Sequence, residues 1–147
     1  MKKLFMLIAM AAICVSAAWS ADNNELKTID PQKLPPITQS IIKTYFPDAQ
    51  VVTATKQKSK VRNSFDVTLS DGTELRFDKD GQWQRVYRGG EPIPQRMVNL
   101  KIAAHVNNGY PGTSVVMMEK DKKGNYQIQL SDGTMLVFDN QFRIKGY

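Results

Sequence analysis

Apolar residues recur along this chain at two different spacings, and the two spacings predict two kinds of secondary structure. At two places they return every fourth residue, as on one face of a helix: Ile37, Ile41 and Tyr45, with Ile42 beside them, and then Val98, Ile102 and Val106. Proline precedes both stripes, where the first turn of a helix tolerates it. We therefore predict one helix that Pro35 and Pro36 open and Pro47 ends, and a second that runs from Pro94 to about Gly109.

The remaining apolar residues alternate with polar ones, as in strands that bury one face. In the first such stretch Phe65, Val67 and Leu69 alternate with polar residues, and so do Leu75 and Phe77. All five share one core only if a three-residue turn joins the strands, because a two-residue turn would send Leu75 to the opposite face. The same count predicts three-residue turns at 79–81, 131–133 and 139–141, the last placing Phe138 opposite Phe142.

Two stretches of the chain occur twice. The tetrapeptide Ser-Asp-Gly-Thr stands at 70–73 and again at 131–134 with the same apolar alternation around it, and residues 45–52 return in similar form at 109–116. The copies run over 33–88 and 92–147. Because about 55 residues are only marginally stable alone, we expect the copies to pack together or to extend a common sheet. The predicted fold class is α+β: two tandem repeats, each one helix packed on an antiparallel sheet of about four strands.

The first twenty residues have the three parts of a secretory signal peptide. Lys2 and Lys3 precede an uncharged apolar run, and small residues suited to a signal peptidase follow at 16–21. We expect cleavage near position 20, a flexible leader over 21–32, and no stable membrane insertion afterwards. Cys14, the single cysteine, lies inside the apolar run, so the exported chain would fold without disulfides or thiolate chemistry.

Charge and side-chain chemistry narrow the possible functions. The 147 residues include 20 Lys and Arg against 14 Asp and Glu, and removing Lys2 and Lys3 leaves a net charge of +4 with the signs interspersed. We expect no nucleic-acid partner, because no basic stripe is present. The one histidine, His105, has no nucleophile placed beside it by sequence, and no metal-ligand pattern is complete. We therefore predict a protein that is not an enzyme and that holds no metal and no cofactor.

The sheet face turned away from the helices is the predicted binding surface. Its members in the two copies would be Glu74, Arg76, Gln127, Gln129, Met135 and Val137. The exchange of Glu74 and Arg76 for Met135 and Val137 makes the second half more apolar, and an apolar group with a polar rim is typical of interfaces. A second possibility is a cleft between the repeats, lined by Trp83, Tyr87 and Tyr110.

These motifs resemble the PepSY-like, beta-lactamase-inhibitor-like family. The resemblance rests on the helix opened by proline, on the Tyr-Phe-Pro-Asp-Ala and Tyr-Pro-Gly turns, and on the twice-repeated Asp-Gly-Thr-x-Leu-x-Phe-Asp. It covers nearly the whole chain after the signal, and it implies a bacterial periplasmic or secreted protein. By analogy of fold it also implies that the open sheet face binds another protein. The motifs belong to turns and core positions, so no inhibitory or catalytic residue can be transferred.

We therefore expect an exported, non-enzymatic module that binds another exported protein or peptide and that could act as its inhibitor. The alternative is a small-ligand or peptide-binding protein that uses the cleft between the repeats. The sequence fixes neither the partner nor the oligomeric state.

Overall fold

Nine strands form one antiparallel sheet in which every strand pairs with its neighbours in the chain. The structure, a computed structural model, describes residues 25–60 and 63–146. The strands are β1 (Glu25–Thr28), β2 (Val51–Lys58), β3 (Asn63–Leu69), β4 (Glu74–Asp78), β5 (Trp83–Tyr87), β6 (Val115–Lys120), β7 (Tyr126–Leu130), β8 (Met135–Phe138) and β9 (Ile144–Gly146). The helices are α1 (Pro36–Tyr45) and α2 (Leu100–Gly109), each preceded by a short 3₁₀ turn, Pro31–Lys33 and Gln95–Met97. The predicted signal peptide, 1–20, lies outside the described residues.

The α+β class is confirmed, but the sheet has one strand more than two repeats of four would give. Strands β2–β5 and β6–β9 lie in the two predicted copies. The ninth strand, β1, lies within the segment 21–32 that the sequence assigns to a flexible leader, and it pairs with β2 through Glu25–Lys58 to Thr28–Thr55. The two copies share one sheet, because β5 pairs directly with β6 through Arg85–Glu119, Val86–Met118 and Tyr87–Met117.

Both helices cover the same face of the sheet. Ile42 of α1 and Ile102 and Val106 of α2 belong to one core cluster with the inward residues of the strands. The largest of those inward side chains, Phe77 and Phe138, are 0% and 1% exposed. Burying such a ring contributes about 1.5–3 kcal/mol, so the two rings anchor the two halves of the core. Neither helix in the described part of the chain is long and apolar enough to cross a membrane.

The first helix matches the predicted stripe in part. Ile42 is buried, Ile41 and Tyr45 pack partly buried against the core, and Ile37 is 42% exposed. The other buried residue, Thr38, was not predicted because it is polar. It corresponds to Ile102 in the second copy, and its hydroxyl is satisfied in the core by donating to the Gly81 carbonyl at 2.9 Å. In the second copy Pro94 opens the 3₁₀ turn rather than α2, which begins at Asn99 as its N-cap.

Five hairpins in the described residues share one three-residue loop. In each, the residue before the loop donates its N–H to the carbonyl four positions on, and the third loop residue donates back. That third residue has a positive φ and is glycine in four loops, at Gly72, Gly81, Gly124 and Gly133. The predicted pairs Phe65–Phe77, Phe77–Trp83 and Tyr126–Phe138 are confirmed.

The fifth loop corrects the predicted turn at 139–141. The loop is 140–142, so Phe138 lies opposite Ile144 rather than Phe142. Phe142 takes the place of the left-handed glycine, at φ 62°. The error arose because the sequence has no glycine there to mark the third loop position. Phe142 is held by its contact with the Tyr126 ring, whose centroid lies 5.1 Å away.

Candidate functional site

The sheet face opposite the helices carries two parallel rows of side chains, which we call the open face. Its members, strand by strand from β2 to β8, form one row of Thr55, Asp66, Arg76, Arg85, Glu119, Gln127 and Val137 and a second of Thr53, Thr68, Glu74, Tyr87, Met117, Gln129 and Met135. Strands lie about 4.8 Å apart, so six spacings give the rows a length of about 29 Å. No helix among the described residues packs on this face.

The structure places all six residues predicted for the binding surface in these two rows. Glu74 and Arg76 lie on β4, and the other four lie on β7 and β8. They form two groups rather than one, because β5 and β6 lie between them. Sequence reasoning missed the residues of those two strands. The signal was present: Val86 and Met118 alternate with Arg85, Tyr87, Met117 and Glu119, so placing the first two in the core places the others on the open face.

The first half of the open face is a polar groove of about 200 Å³. Across its floor the Nε of Arg76 donates to the Oδ1 of Asp66 at 2.7 Å, and both side chains are partly exposed. The Nε of Arg85 lies 3.8 Å from the Oε2 of Glu119, too far for a hydrogen bond, and it is buried without an acceptor among the described residues. Arg76 and Asp66 therefore form a hydrogen-bonded ion pair in the groove, whereas Arg85 is only loosely paired with Glu119.

The second half of the open face is apolar at its end. Met135 is 38% exposed, Val137 is partly buried, and Met117 is 7% exposed although it lies outside the main core cluster. Gln127 and Gln129 separate Met135 and Val137 from the charged groove, whereas Met117 lies on the groove side of them, between Tyr87 and Gln129. The face thus changes from charged at β3–β5, through amide groups at β7, to apolar at β8.

The aromatic residues proposed for a cleft are not brought together. Trp83 lies opposite Phe77 on the helix-covered face, whereas Tyr87 lies opposite Glu74 on the open face. Tyr110 belongs to the core of the second copy, where its ring centroid lies 6.3 Å from that of His105. The sheet runs continuously between the copies, since β5 pairs with β6.

The ammonium group of Lys120 lies over two aromatic rings where β5 meets β6. The Nζ of Lys120 lies 4.4 Å from the centroid of Trp83 and 5.7 Å from that of Tyr126. Burial lowers the pKa of Lys120, and the nearby Asp78 carboxylate opposes that shift. Burial also raises the pKa of Tyr126. These contacts join β5 of the first copy to β6 and β7 of the second.

The polar groups most often used in catalysis have structural roles here. The His105 ring packs edge-on against Phe138, with centroids 5.4 Å apart. Asp121 and Asp139 close hairpin loops, since the Oδ1 of each accepts the N–H groups two and four positions on. Those hydrogen bonds lower the pKa of both carboxyls, that from the Asn125 side chain contributing most at Asp121 and that from the Arg143 N–H at Asp139. In the described residues no three His, Cys, Asp or Glu side chains are grouped to hold a metal.

The fold and its duplicated motifs define a known class of protein. The family whose description reads "Putative beta-lactamase-inhibitor-like, PepSY-like" matches residues 14–62 and 63–145, which is most of the chain. The protein belongs to this family. The boundary between its two matched segments falls in the β2–β3 connection, whereas the sequence repeat divides between β5 and β6.

Solved structures from two Bacteroides species are similar to this chain. A "putative calcium-regulated periplasmic protein" from Bacteroides thetaiotaomicron is 30% identical, with a TM-score of 0.78 over 82% of this chain and 94% of its own. A "putative periplasmic protein" from Bacteroides vulgatus is 34% identical, with a TM-score of 0.79 over 86% and 98%. A third, of unknown function and from the same species, is 25% identical, with a TM-score of 0.77 over 84% and 97%. No curated protein matches the chain.

Proposed function

We propose that this protein is an exported, periplasmic, non-enzymatic binding module whose open face binds another exported protein. One observation carries the proposal. Seven strands, β2 to β8, present aligned side chains on a face that no helix of the described residues covers, and an exposed apolar end with Met135 adjoins a row of amides. Export is supported by the N-terminal pattern and by the periplasmic proteins to which the chain is similar.

The dimensions of the open face indicate how a partner would contact it. Strands of five residues are about 17 Å long, so the face projects about 500 Å². A standard protein interface buries about 800 Å² per partner. A partner that covers the two rows is therefore expected to contact the hairpin loops at one end of the sheet as well.

Specificity and affinity are expected to come from different parts of the open face. The apolar end, with Met135 and Val137, would supply the buried centre of the interface, since apolar side chains dominate interface cores. The Arg76–Asp66 and Arg85–Glu119 pairs would orient the partner, because charged rims influence register and association rate more than affinity. An inhibitory role would follow if the bound surface of the partner included its active site.

Site-specific crosslinking tests the proposal. A photoreactive amino acid at Gln127 of the open face should crosslink a periplasmic protein that mass spectrometry identifies, and the same group at Ala104, exposed on α2, should not. The identified partner, once purified, should bind the Met135→Glu variant about tenfold or more weakly, which corresponds to about 1.4 kcal/mol.

The matched control is Leu100→Glu, because Leu100 is an apolar residue of α2 that is 85% exposed. This variant should bind the partner like the wild type. Equal binding by all three proteins, or crosslinking at Ala104 in place of Gln127, would contradict the assignment of the open face.

A further inference from the structure

Strand β2 leaves part of its outer edge without a neighbouring strand. Strand β1 pairs with β2 only from Thr55 to Lys58, and Ile29 adds one hydrogen bond to the Ala54 carbonyl at 2.9 Å. Outside the β2–β3 ladder, no backbone N–H among residues 25–60 and 63–146 donates to the carbonyls of Val51 or Val52. Val52 is 63% exposed. We call Val51–Thr53 the open edge.

In the second copy the equivalent edge accepts hydrogen bonds from another part of the chain. Val51 and Val52 correspond to Val115 and Val116 at the start of β6. There the N–H of Arg88 donates to the Val116 carbonyl at 3.2 Å, and the N–H of Ile93 donates to the Val115 carbonyl at 2.8 Å. The chain between β5 and α2 thus contacts this edge on both sides of a turn, in which Gly89 and Gly90 have positive φ and the N–H of Glu91 donates to the Arg88 carbonyl at 3.1 Å. Val116 beneath it is only 3% exposed.

A difference in chain length explains why the first copy lacks these contacts. Ile29 and Ile93 occupy equivalent positions before the two 3₁₀ turns. In the second copy five residues, 88–92, separate β5 from Ile93, and this length carries the chain along β6 to Val115. In the first copy β1 ends at Thr28, immediately before Ile29, so the chain turns away while it is still beside Ala54.

We propose that the open edge binds a partner polypeptide through a segment with one N–H donor on each side of a turn, in the manner of residues 88–93 on β6. The two donors would satisfy the Val51 and Val52 carbonyls by backbone hydrogen bonds at the edge of the sheet. An apolar residue of the same segment would cover Val52. This site is separate from the open face and does not depend on its function, although the two surfaces meet at Thr53.

Space beside the open edge fits this occupant. A groove of about 460 Å³ lies between Val51, the first 3₁₀ turn and α1. The equivalent groove beside Val115 measures about 300 Å³, and there Pro92 and Ile93 of the connecting segment line it. The groove beside Val51 is therefore the larger of the two, and among the described residues no connecting segment that corresponds to Pro92 and Ile93 lines it.

The side chains of the open edge do not protect it. Exposed edge strands usually carry charged residues or proline, which prevent pairing with another chain. The basic residues of β2, Lys56 and Lys58, lie where β1 already pairs. The open edge consists of uncharged residues with high β propensity, Val51, Val52 and Thr53. Its side chains therefore favour hydrogen bonding of its backbone to that of a partner.

A peptide copied from the chain itself provides the test. The peptide of residues 86–95 contains the segment that runs along β6, and the ¹⁵N-labelled purified protein is titrated with it at millimolar concentration. Amide shifts centred on residues 51–54 are expected. A scrambled peptide, and a peptide N-methylated at the positions of Arg88 and Ile93, should produce no such shifts, because they lack the order or the two donors.

Variants of the protein complete the test. Val52→Lys should abolish the shifts, whereas Leu26→Lys, which changes an equally exposed apolar residue of β1, should retain them. Met135→Glu should also retain them, which separates this site from the open face. Absence of shifts with the native peptide, or equal shifts in Val52→Lys, would overturn the proposal. Shifts at 51–54 that appear on raising the protein concentration alone would show that a second copy is the occupant instead.

Discussion

Gly81 is the glycine most closely packed in the described residues, and its substitution tests how α1 is seated on the sheet. It is the third residue of the β4–β5 loop, at φ 85°. A Cβ on Gly81 would lie 2.6 Å from Cγ2 of Ile37, 2.8 Å from Cβ of Pro35 and 2.8 Å from Oγ1 of Thr38. Gly72 has nearly the same backbone, at φ 84°, but a Cβ there would have no atom within 4 Å.

The pair separates the cost of backbone strain from the cost of the steric clash. An alanine in the left-handed region costs about 1–2 kcal/mol, so Gly72→Ala should lower the free energy of unfolding by that amount. Gly81→Ala has the same strain together with overpacking, which typically costs about 1–3 kcal/mol. Its total loss of about 2–5 kcal/mol is a large share of the 5–15 kcal/mol typical of a domain.

Urea unfolding followed by far-ultraviolet circular dichroism measures both losses. With a slope of about 1–3 kcal/mol per molar urea, the extra loss of about 1–3 kcal/mol should place the Gly81→Ala midpoint about 0.3–3 M below that of Gly72→Ala. Gly133→Ala, also without atoms near its Cβ, is a second control and should match Gly72→Ala. Equal midpoints for Gly81→Ala and Gly72→Ala would refute the close packing of α1 against this loop.

Three further predictions follow from the loops and the core. Because Phe142 has a positive φ, the free energy of unfolding should be about 1 kcal/mol higher for Phe142→Gly than for Phe142→Ala, although glycine is usually the less stable of the two. A lower urea midpoint for the glycine variant would contradict the left-handed assignment. Thr38→Val should lower the free energy of unfolding by about 1–3 kcal/mol in the same assay, because it leaves the buried Gly81 carbonyl without its donor, and an unchanged midpoint would argue against that hydrogen bond. The pKa of Asp139 lies below its ordinary value of 3.8, so its stabilising effect should be complete above about pH 4 and disappear as the pH falls through the folded-state pKa. Asp139→Asn should therefore show a smaller loss of stability between pH 7 and pH 3 than the wild type, and equal losses would remove Asp139 as a source of the acid sensitivity.

The registers of three hairpins, β3–β4, β4–β5 and β7–β8, could be predicted from the sequence, whereas the strand β1 and the register of β8 with β9 could not. Phe65, Val67 and Leu75 alternate strictly, and a period of two fixes both the buried face and the parity of the turn at Gly72. The short β1 has no such pattern. Leu26 is 66% exposed, so the strand is held mainly by its backbone pairing to β2, which leaves little trace in the order of apolar residues.

The first helix and the last turn show where sequence patterns mislead. Thr38 is fully buried because the Gly81 carbonyl accepts its hydroxyl, and that contact joins residues 43 positions apart. Phe142 adopts a left-handed conformation although it is not glycine, and its ring packs on that of Tyr126. In both places a tertiary contact accompanies the departure from the local preference, and no pattern within one element could have indicated it.

The candidate site was predicted in part for a similar reason. The alternation of apolar and polar residues assigned Glu74 and Met135 to the same face, because within each strand it shows which residues point away from the core. It gave no order for strands of different copies, so it could not show that Arg85 and Glu119 lie between the two groups. The pairing of β5 with β6 is a property of the whole sheet.

Because each strand pairs only with the strands before and after it in the chain, this sheet can assemble in the order in which the chain emerges. A polypeptide that crosses a membrane as an unfolded thread delivers its N-terminal end first. For every strand from β2 onward, the preceding strand with which it pairs would already have crossed the membrane, and no early strand would stay unpaired until a distant one arrived. Unpaired strand edges are the usual starting points of aggregation. The sequential topology thus suits the export proposed above, because the strands can pair in the order in which they would leave the membrane.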